Sequence, residues 1–384
     1  MSVLSIEWLL LMSITVALFW GLPGALRHYF LIGLSALFLL VHDPLSLLLL
    51  LAMATVALLL CRQSRTSTVQ VSGAIVVIVG LLVYFKAGYR LPADGAMGSL
   101  LVPLGLSYYA LRVIHLILER HLGRIAVPAA TDVARYLLFL PTLSVGPIHR
   151  YGPFKRDSDR HRWVAGDMAR GIERIIFGYA KITVLGNFLV SVAFMEYIAP
   201  LESTNYALFQ YLDCIRYGAN LYFQFSGYSD IAIGFSLLLG YHVMENFNNP
   251  FMKPNISAFW RAWHISMTSW CREYVYTAVA ALTRRPALGA IATLLAIALW
   301  HEVSWRYVLW GLYHALGILA WQLFQRYKPP QWQAVGVWPR RAAVILSTVL
   351  TLNFVMIGFA LTKEATATEG LAVLHSMLIF RAQP

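Results

Sequence analysis

Two histidines and one aspartate stand in parts of the sequence that are otherwise strongly apolar. His301 closes the apolar run that begins after Arg285, and His264 lies in a segment rich in tryptophan. Asp230 has apolar neighbours on a predicted helix. Ionisable groups in apolar segments are energetically costly, so they are candidates for function. Because histidine titrates near neutrality, His301 and His264 are the candidates for proton transfer.

Each of these residues also has a structural interpretation. His301 can be an interfacial histidine whose ring reaches lipid headgroups, as the neighbouring tryptophans can. His264 can serve helix packing, because membrane helices use histidine for interhelical hydrogen bonds. For Asp230 the favoured interpretation is a buried ion pair with an arginine, or a hydrogen bond with a tyrosine, on a neighbouring helix. A carboxylate inside a membrane must be paired.

The tryptophan-rich segment around His264 has helical spacing. Trp260, Trp263, Met267 and Trp270 recur at intervals of three, four and three residues. This spacing predicts one continuous helix with a single apolar stripe, which His264 borders. We expect that helix to lie at an interface or to line a cavity rather than to span the membrane.

The elements that position these residues belong to a chain with the composition of a membrane protein. Of its 384 residues, 59% are hydrophobic and 12% charged, and the mean hydropathy is +0.63. Ten apolar segments are candidates for crossing helices: residues 8–20, 29–41, 44–61, 71–85, 100–118, 172–197, 219–244, 287–300, 307–324 and 342–361. No soluble domain fits between them, so residues 1–384 are predicted to form a single integral-membrane domain.

One further apolar stretch, residues 136–145, is too short and too interrupted to be an eleventh crossing. It contains Pro141, is followed by Gly146, and lies between the basic residues Arg135 and Arg150. Such a segment predicts a re-entrant loop, which survives at membrane depth only beside protein or a water-filled cavity. The predicted fold is therefore all-α and multi-pass, with about ten crossings plus re-entrant segments around a central cavity or tunnel.

The net charge of +12 is concentrated in short segments between the predicted crossings. By the positive-inside rule these clusters face the cytoplasm and anionic lipid, so membrane lipid is an expected partner and nucleic acid is not. The clusters are Arg62 with Arg65, Arg120 with Arg124, residues 150–170, Arg284 with Arg285, and residues 326–341. Cys61, Cys214 and Cys271 are too few and too scattered for a disulfide framework or a metal site.

Several motifs resemble those of the membrane-bound O-acyltransferase family. Three segments of the chain resemble the core motif of the family: YFQFSGYSD at residues 222–230, ENFNNP at 245–250 and FWRAWHIS at 259–266. A second block is similar to LWH at 299–301 with VLWGLYH at 308–314. Weaker matches are PLGLSYY at 103–109 and YLLFLPTLSVGPI at 136–148. The resemblance covers about residues 100–325 and is greatest to the bacterial branch that acts in alginate O-acetylation and teichoic-acid D-alanylation.

The resemblance implies roles for particular residues. The near-invariant histidine of the family falls on His301, which becomes the predicted general base, and the other motif histidine falls on His264. The residues predicted to bind substrate are Trp300, Trp263, Asn246, Ser229, Asp230 and Gln224. Direct transfer needs neither a metal nor a permanently bound cofactor.

Two residues depart from the pattern of this branch. Gln224 stands where aspartate is usual, and Glu302 follows His301 where glycine is usual. We expect these two departures to affect which substrate is used more than which reaction is catalysed. Glu302 and Arg306 are spaced favourably for an ion pair, with the acid first.

The implied function is transfer of a small acyl group, acetyl first, to a hydroxyl in extracytoplasmic polysaccharide or cell-wall modification. The donor is a cytoplasmic thioester, either acetyl-CoA or a phosphopantetheinyl carrier protein, and the partner is an extracytoplasmic acceptor or partner transferase. The resemblance places the chain in a bacterial cytoplasmic (inner) membrane. The alternatives are D-alanyl transfer from a carrier protein, a proton-coupled transporter with a relay through His264, His301 and Asp230, and a non-catalytic scaffold.

Overall fold

The computed structural model describes residues 3–63, 66–88, 102–160, 162–328 and 337–378, and every regular element in these ranges is helical. The α-helices are α1 Ile6–Gly21, α2 Gly24–His42, α3 Pro44–Arg62, α4 Thr68–Gly88, α5 Leu106–His121, α6 Ala130–Leu137, α7 Tyr151–Arg160, α8 Ala165–Ala180, α9 Phe194–Ile198, α10 Leu201–Thr204, α11 Tyr206–Leu238, α12 Ile256–Trp260, α13 Ile265–Cys271, α14 Thr277–Thr283, α15 Pro286–His301, α16 Trp305–Tyr327, α17 Val337–Gly358, α18 Ala360–Lys363 and α19 Ala367–Leu378. Two π-helical segments, Lys181–Ala193 and Arg272–Tyr276, continue α8 and α13.

Six helices in the described ranges are long and apolar enough to cross a membrane: Gly24–His42, Pro44–Arg62, Thr68–Ala87, Ala165–Ile198, Trp305–Tyr327 and Arg341–Lys363. Ile6–Gly21 and Pro286–His301 are shorter apolar helices. All eight coincide with predicted crossings, and the chain is an all-α, multi-pass integral membrane protein. The two other predicted crossings fall on α5 and α11, which do not meet these criteria. The number of ten crossings therefore stays a prediction.

The chain divides into two compact units, and the single-domain expectation stays a prediction. The N-terminal unit comprises Met1–Tyr179 and Gly227–Met244, and the C-terminal unit comprises Ala180–Ser226 and Glu245–Pro384. Arg65 and half of the predicted basic loop, residues 329–336 of 326–341, lie outside the described residues.

Helix α5 forms the interior of the N-terminal unit, with α3, α4, α6 and α7 packed around it. It begins after Gly105, whose φ of +74° is accessible to glycine at little cost. A Cβ at Gly105 would lie 2.3 Å from the carbonyl oxygen of Leu143. The fully buried Arg112 guanidinium donates to the carbonyl oxygen of Thr142 at 3.0 Å. The close approach at Gly105 and the hydrogen bond from Arg112 therefore connect the start of α5 with the weaker motif at residues 136–148.

The predicted re-entrant stretch is interrupted in the structure. Helix α6 ends at Leu137, a 3-10 turn follows at Leu140–Thr142, and α7 begins at Tyr151. Eight residues of α-helix extend only about 12 Å, so α6 is too short to cross a bilayer. Its depth in the membrane stays a prediction.

Asp230 is paired within the N-terminal unit, as its structural interpretation predicted. Its Oδ1 lies 3.0 Å from Nη1 of Arg174 on α8, and both side chains are largely buried. Helices α8 and α11 approach each other closely beside this pair. A Cβ on Gly178 would lie only 2.7 Å from the carbonyl oxygen of Gly227. Small residues allow such close packing in membranes, and the ion pair fixes the contact.

In the C-terminal unit, α15 and α16 form a tight antiparallel hairpin. Pro286 begins α15 at a position where the missing N–H costs nothing, and Glu302–Ser304 separates the helices. Sixteen residues of α15 carry the chain about 24 Å from Arg285 to His301. The hairpin places Arg285 and Arg326 at one end and His301 at the turn.

Candidate active site

The tryptophan stripe does not form one continuous helix, so that prediction is wrong. Helix α12 ends at Trp260 and α13 begins at Ile265, and the chain turns between them. His264 adopts a left-handed conformation with φ of +44°, which costs free energy for any residue other than glycine. The turn carries His264 into a position that a straight helix would not give it.

Asn246 causes this break. Its carbonyl oxygen accepts the Ile265 N–H at 2.9 Å, and its Oδ1 accepts the Ser266 hydroxyl at 2.6 Å and the Ser266 N–H at 3.3 Å. Farther along, the Asn248 N–H donates to the Ala262 carbonyl oxygen at 3.0 Å. Asn246 thereby accepts the free N–H groups of Ile265 and Ser266 at the start of α13, as an N-cap would. Asn246 is therefore a positioning residue for His264, and it is fully buried.

His264 lies in a dry, aromatic environment. Its side chain is 1% exposed, and its ring meets Phe225 edge-on with centroids 4.6 Å apart. Neither ring nitrogen has a hydrogen-bond partner among the described residues. Burial, with a smaller contribution from His301, holds the pKa of His264 well below its usual range. The His264 imidazole is therefore neutral at pH 7.

His301 ends α15 and has an accessible side chain. Its ring stacks against Tyr307 with centroids 6.0 Å apart, and it lies beside Trp300 and Trp310. The His264 and His301 centroids are 6.1 Å apart. Because both nitrogens of His264 are unpartnered, the two imidazoles do not hydrogen-bond to each other. The accessible imidazole of His301 therefore lies beside the buried imidazole of His264.

The two predicted substrate-binding tryptophans have different surroundings. Trp300 contacts both histidines, with its ring centroid 5.5 Å from that of His264 and 4.9 Å from that of His301. Trp263 is buried among aromatic rings, including Tyr222, Phe247 and Phe259. The structure brings Trp300 to the histidine pair, whereas the contacts of Trp263 are those of a core residue.

The remaining predicted residues are distributed over both units. Gln224 donates through its amide to Asn187 at 2.5 Å and to Asn220 at 3.4 Å. Ser229 and Asp230 belong to the N-terminal unit, where both are buried and Asp230 is paired. The substrate-binding roles of these residues stay predictions.

Glu302, the acidic residue beside His301, is held by hydrogen bonds from Arg306 and Ser304. Its carboxylate accepts from Nε of Arg306 at 2.7 Å, and it also accepts from the Ser304 hydroxyl. Nη1 of Arg306 donates in turn to the carbonyl oxygens of Thr362 and Glu364. The predicted ion pair is present, and it compensates the charge that this departure introduces.

Sequence reasoning gave no role to three residues on α16 that lie near the histidine pair. Tyr307 and Trp310 contact His301, and the fully buried His314 packs against Trp310 at 4.8 Å. Both nitrogens of His314 and the indole N–H of Trp310 lack hydrogen-bond partners in the described part of the chain. These three residues are spaced three and four apart, which places them on one face of α16. This spacing is the feature of the sequence that could have identified them.

No group of three or more His, Cys, Asp or Glu residues that could hold a metal ion occurs among the described residues. The three cysteines are buried, and no disulfide joins them. The chemistry that these contacts can support is proton transfer by imidazole and hydrogen-bond donation by imidazole or indole N–H groups.

Comparison with known proteins assigns this arrangement to a family. The sequence model described as "MBOAT, membrane-bound O-acyltransferase family" matches residues 106–362. The chain belongs to this family. The match includes both histidines, the α15–α16 hairpin and the segment that caps α13.

Three curated relatives illustrate the similarity of this membrane-bound O-acyltransferase family member. It is 32% identical to the probable alginate O-acetylase AlgI of Azotobacter vinelandii over 56% of this chain and 43% of the relative. It is 29% identical to the protein of that name in Pseudomonas aeruginosa over 73% of this chain and 52% of the relative. It is 32% identical to the teichoic acid D-alanyltransferase of Bacillus subtilis over 67% of each.

The chain thus spans about half the length of the alginate O-acetylase relatives that it matches. The family and these names support the enzyme class predicted from the sequence, an O-acyltransferase embedded in a membrane. The resemblance found in the sequence motifs is confirmed.

Proposed function

We propose that this chain transfers an acetyl group from a cytoplasmic thioester to a hydroxyl acceptor used in extracytoplasmic polysaccharide or cell-wall modification. The observation that carries the proposal is the pairing of an accessible His301 with a buried His264, at the turn of the hairpin that the family model covers. The names of the alginate O-acetylase relatives favour acetyl as the group. We infer that the protein resides in a bacterial inner membrane.

His301 acts as the general base in this mechanism. As the acceptor oxygen attacks the thioester carbonyl carbon, a ring nitrogen of His301 takes the hydroxyl proton and a C–O bond forms. The C–S bond then breaks, and the departing sulfur takes a proton from the imidazolium. A neutral imidazole is well matched to this task near pH 7, and its return to neutrality completes the cycle.

His264 assists by donating rather than by accepting a proton. A neutral imidazole carries one N–H, and no described residue accepts a hydrogen bond from that of His264. Donation to the carbonyl oxygen stabilises the negative charge that develops during attack, and exclusion of water strengthens that interaction. Trp300, which contacts both histidines, completes the aromatic wall of the site.

D-alanyl transfer from a carrier protein is the second candidate. It rests on the relative named teichoic acid D-alanyltransferase, which is matched over 67% of both chains. The reaction at His301 is the same, and only the acyl group and its carrier differ.

One assay separates these candidates and the non-enzymatic ones. Purified protein is incubated with labelled acetyl-CoA or with a D-alanyl carrier protein, together with a soluble polyol or polysaccharide acceptor. Labelled ester formed from acetyl-CoA supports the proposal, and ester formed only from the carrier protein supports the second candidate. Substrate-dependent currents or uptake without thioester consumption would instead support a transporter, and full function after replacement of both histidines would support a scaffold.

A further inference from the structure

Arg306, on the first turn of α16, binds the residue that follows His301 in the hairpin turn. Its Nε and Nη2 atoms donate to the two carboxylate oxygens of Glu302, with Nε at 2.7 Å from Oε1. Both side chains are largely buried, with 15% of Arg306 and 18% of Glu302 exposed. A two-point contact of this kind fixes the orientation of the two groups as well as their distance. Arg306 therefore fixes the backbone next to His301.

The third nitrogen of Arg306 joins this turn to a segment distant in sequence. Nη1 donates to the carbonyl oxygen of Thr362 at 3.2 Å and to that of Glu364. Lys363, which stands between these two residues, donates from Nζ to Oδ2 of Asp213 on α11 at 2.6 Å. The side chains of this ion pair are only 10% and 9% exposed. Because breaking a buried pair leaves an unpaired buried charge, the segment is held firmly on α11 and anchors Arg306.

A second set of contacts leads from Arg306 to the imidazole itself. Cζ of Arg306 lies 5.3 Å from the centroid of the Tyr307 ring, which is a cation–π contact. The same ring stacks on His301, with centroids 6.0 Å apart and planes inclined by 24°. Since Tyr307 follows Arg306 directly, a shift of the first turn of α16 would move the guanidinium and this ring together. Arg306 thus bears on His301 both through the turn and through Tyr307.

We propose that Arg306 is a positioning residue, which holds the His301 imidazole in the orientation that proton transfer requires. The inference rests on the proposed function, because that function makes His301 the general base. A base must lie within hydrogen-bond reach of the proton that it takes, and a displacement of about 1 Å can lower turnover about a hundredfold. Arg306 acts through Glu302 and Tyr307, and it takes no proton itself.

Steady-state kinetics of acyl transfer by the purified full-length chain test this role. We expect Arg306→Gln to lower kcat about ten- to a hundredfold, because the base is no longer held in place. The KM values for acetyl-CoA and for the polyol acceptor are expected to stay within about twofold of the wild type, since His301 acts in the transition state rather than in binding.

The matched control is Arg135→Gln. The Arg135 side chain is 14% exposed, close to the 15% of Arg306, and it also pairs with an acid, Asp132. Its other hydrogen bonds are to the carbonyl oxygen of Thr131 and the hydroxyl of Ser158, on α6 and α7. We expect this variant to lose a similar amount of thermal stability and to keep a nearly wild-type kcat.

Two further variants show whether Arg306 acts through His301. In a His301→Ala protein we expect Arg306→Gln to cause no further loss of the residual turnover, because the effects of residues that act as a unit do not multiply. Arg306→Lys keeps the charge, but an ammonium group does not reproduce the fork that meets Glu302 and both carbonyl oxygens. We expect the lysine variant to fold normally and to show a similar fall in kcat.

Four results would overturn the proposal. Wild-type kcat in folded Arg306→Gln or Arg306→Lys protein would show that His301 needs no such support. A raised KM with unchanged kcat would make Arg306 a substrate-binding residue. Multiplied losses in the double variant would show that Arg306 acts independently of His301, and an equal fall of kcat in Arg135→Gln would reduce the effect to stability.

A measurement that needs no acyl transfer separates this proposal from the proposed function. Diethyl pyrocarbonate modifies neutral, accessible imidazoles, and mass spectrometry of the peptide that contains His301 gives the rate constant at that residue. We expect a higher rate constant in Arg306→Gln, because the Tyr307 ring is then held less firmly against the imidazole, and an unchanged one in Arg135→Gln. Faster modification in a protein that transfers no acyl group supports the positioning of His301 by Arg306 and contradicts the proposed function. Acyl transfer with unchanged kcat and unchanged modification leaves the proposed function standing and overturns the positioning role.

Discussion

At the scale of single residues, the two histidines differ in what surrounds them. His264 is buried against Phe225 and Trp300 in a left-handed backbone conformation, whereas His301 ends a helix with its ring accessible. Strained backbone at a site persists only when surrounding contacts hold it. Under the proposed function, this difference favours His301 as the proton acceptor and the neutral His264 as the hydrogen-bond donor.

The buried His264 makes the protein sensitive to acid. Its pKa is well below 6.5 in the folded protein and close to 6.5 once unfolded. As the pH falls below 6.5, the unfolded state gains a proton that the folded state does not. Stability then falls by up to about 1.4 kcal/mol per pH unit.

We therefore expect His264→Gln to lose less thermal stability than the wild type between pH 7.5 and pH 5.5. The measurement is the thermal unfolding midpoint of each detergent-solubilised protein at both pH values. Other buried histidines contribute equally to both proteins, so the difference isolates His264. Equal losses in the two proteins would show that His264 does not resist protonation.

At the scale of elements, the segment around Asn246 builds the first turn of α13 and thereby orients His264. Asn246→Ala leaves the Ser266 N–H and hydroxyl, both buried, without their acceptor. Unsatisfied buried groups cost about 1–3 kcal/mol each, so we expect a lower unfolding midpoint. Because Asn246 acts through His264, we expect a loss of turnover that is no larger than that of His264→Ala.

The matched control for Asn246→Ala is Asn255→Ala. Asn255 caps the neighbouring α12 by accepting the Ala258 N–H at 2.8 Å, a contact worth about 1 kcal/mol. We expect Asn255→Ala to lose stability but to retain most of its turnover. If both variants lost turnover equally, Asn246 would be an ordinary cap without a positioning role.

The break between α12 and α13 shows why this element was predicted incorrectly. The tryptophan spacing is that of a helix, and nothing within residues 260–270 indicates an interruption. The cause lies in Asn246 and Asn248, whose backbone and side chain bind to the turn from outside the segment. Contacts between distant residues override local periodicity in this way, and a single sequence does not reveal which residues make them.

At the scale of the whole molecule, the helices determine which loops share a side of the membrane. The helix Ala165–Ile198 is long and apolar enough to cross, so we expect its two ends to lie on opposite sides. If the basic residues 150–170 are cytoplasmic, the segment around Ser203 is extracytoplasmic. The α15–α16 hairpin likewise keeps Arg285 and Arg326 on one side, as the positive-inside rule requires.

Cysteine labelling in intact cells tests this orientation. Arg160→Cys and Ser203→Cys place single exposed thiols at the two ends, and the three native cysteines are buried and give little background. We expect an impermeant maleimide to label Ser203→Cys readily and to label Arg160→Cys only after the cells are opened. Labelling of Arg160→Cys from outside intact cells would show that the topology is the reverse of the predicted one.

Sequence alone predicted the helical class, the membrane location and the residues at which most crossings occur, because long apolar runs have few alternative structures. It also predicted the ion pairs of Asp230 and Glu302, since charges in apolar surroundings require partners. It did not predict that Arg174 is the partner of Asp230. Nor did it predict that α16 brings Tyr307 and Trp310 to His301, because helix packing depends on the whole chain.

The most direct test of the account is acyl transfer by His301→Ala. Loss of a positioned general base predicts a turnover about 10²–10⁴-fold below that of the wild type, with normal expression and monodispersity. His264→Ala, measured in parallel, is expected to be milder because His264 only donates to the carbonyl oxygen. Near-normal transfer by a well-folded His301→Ala protein would contradict the catalytic role of His301 and with it the proposed mechanism.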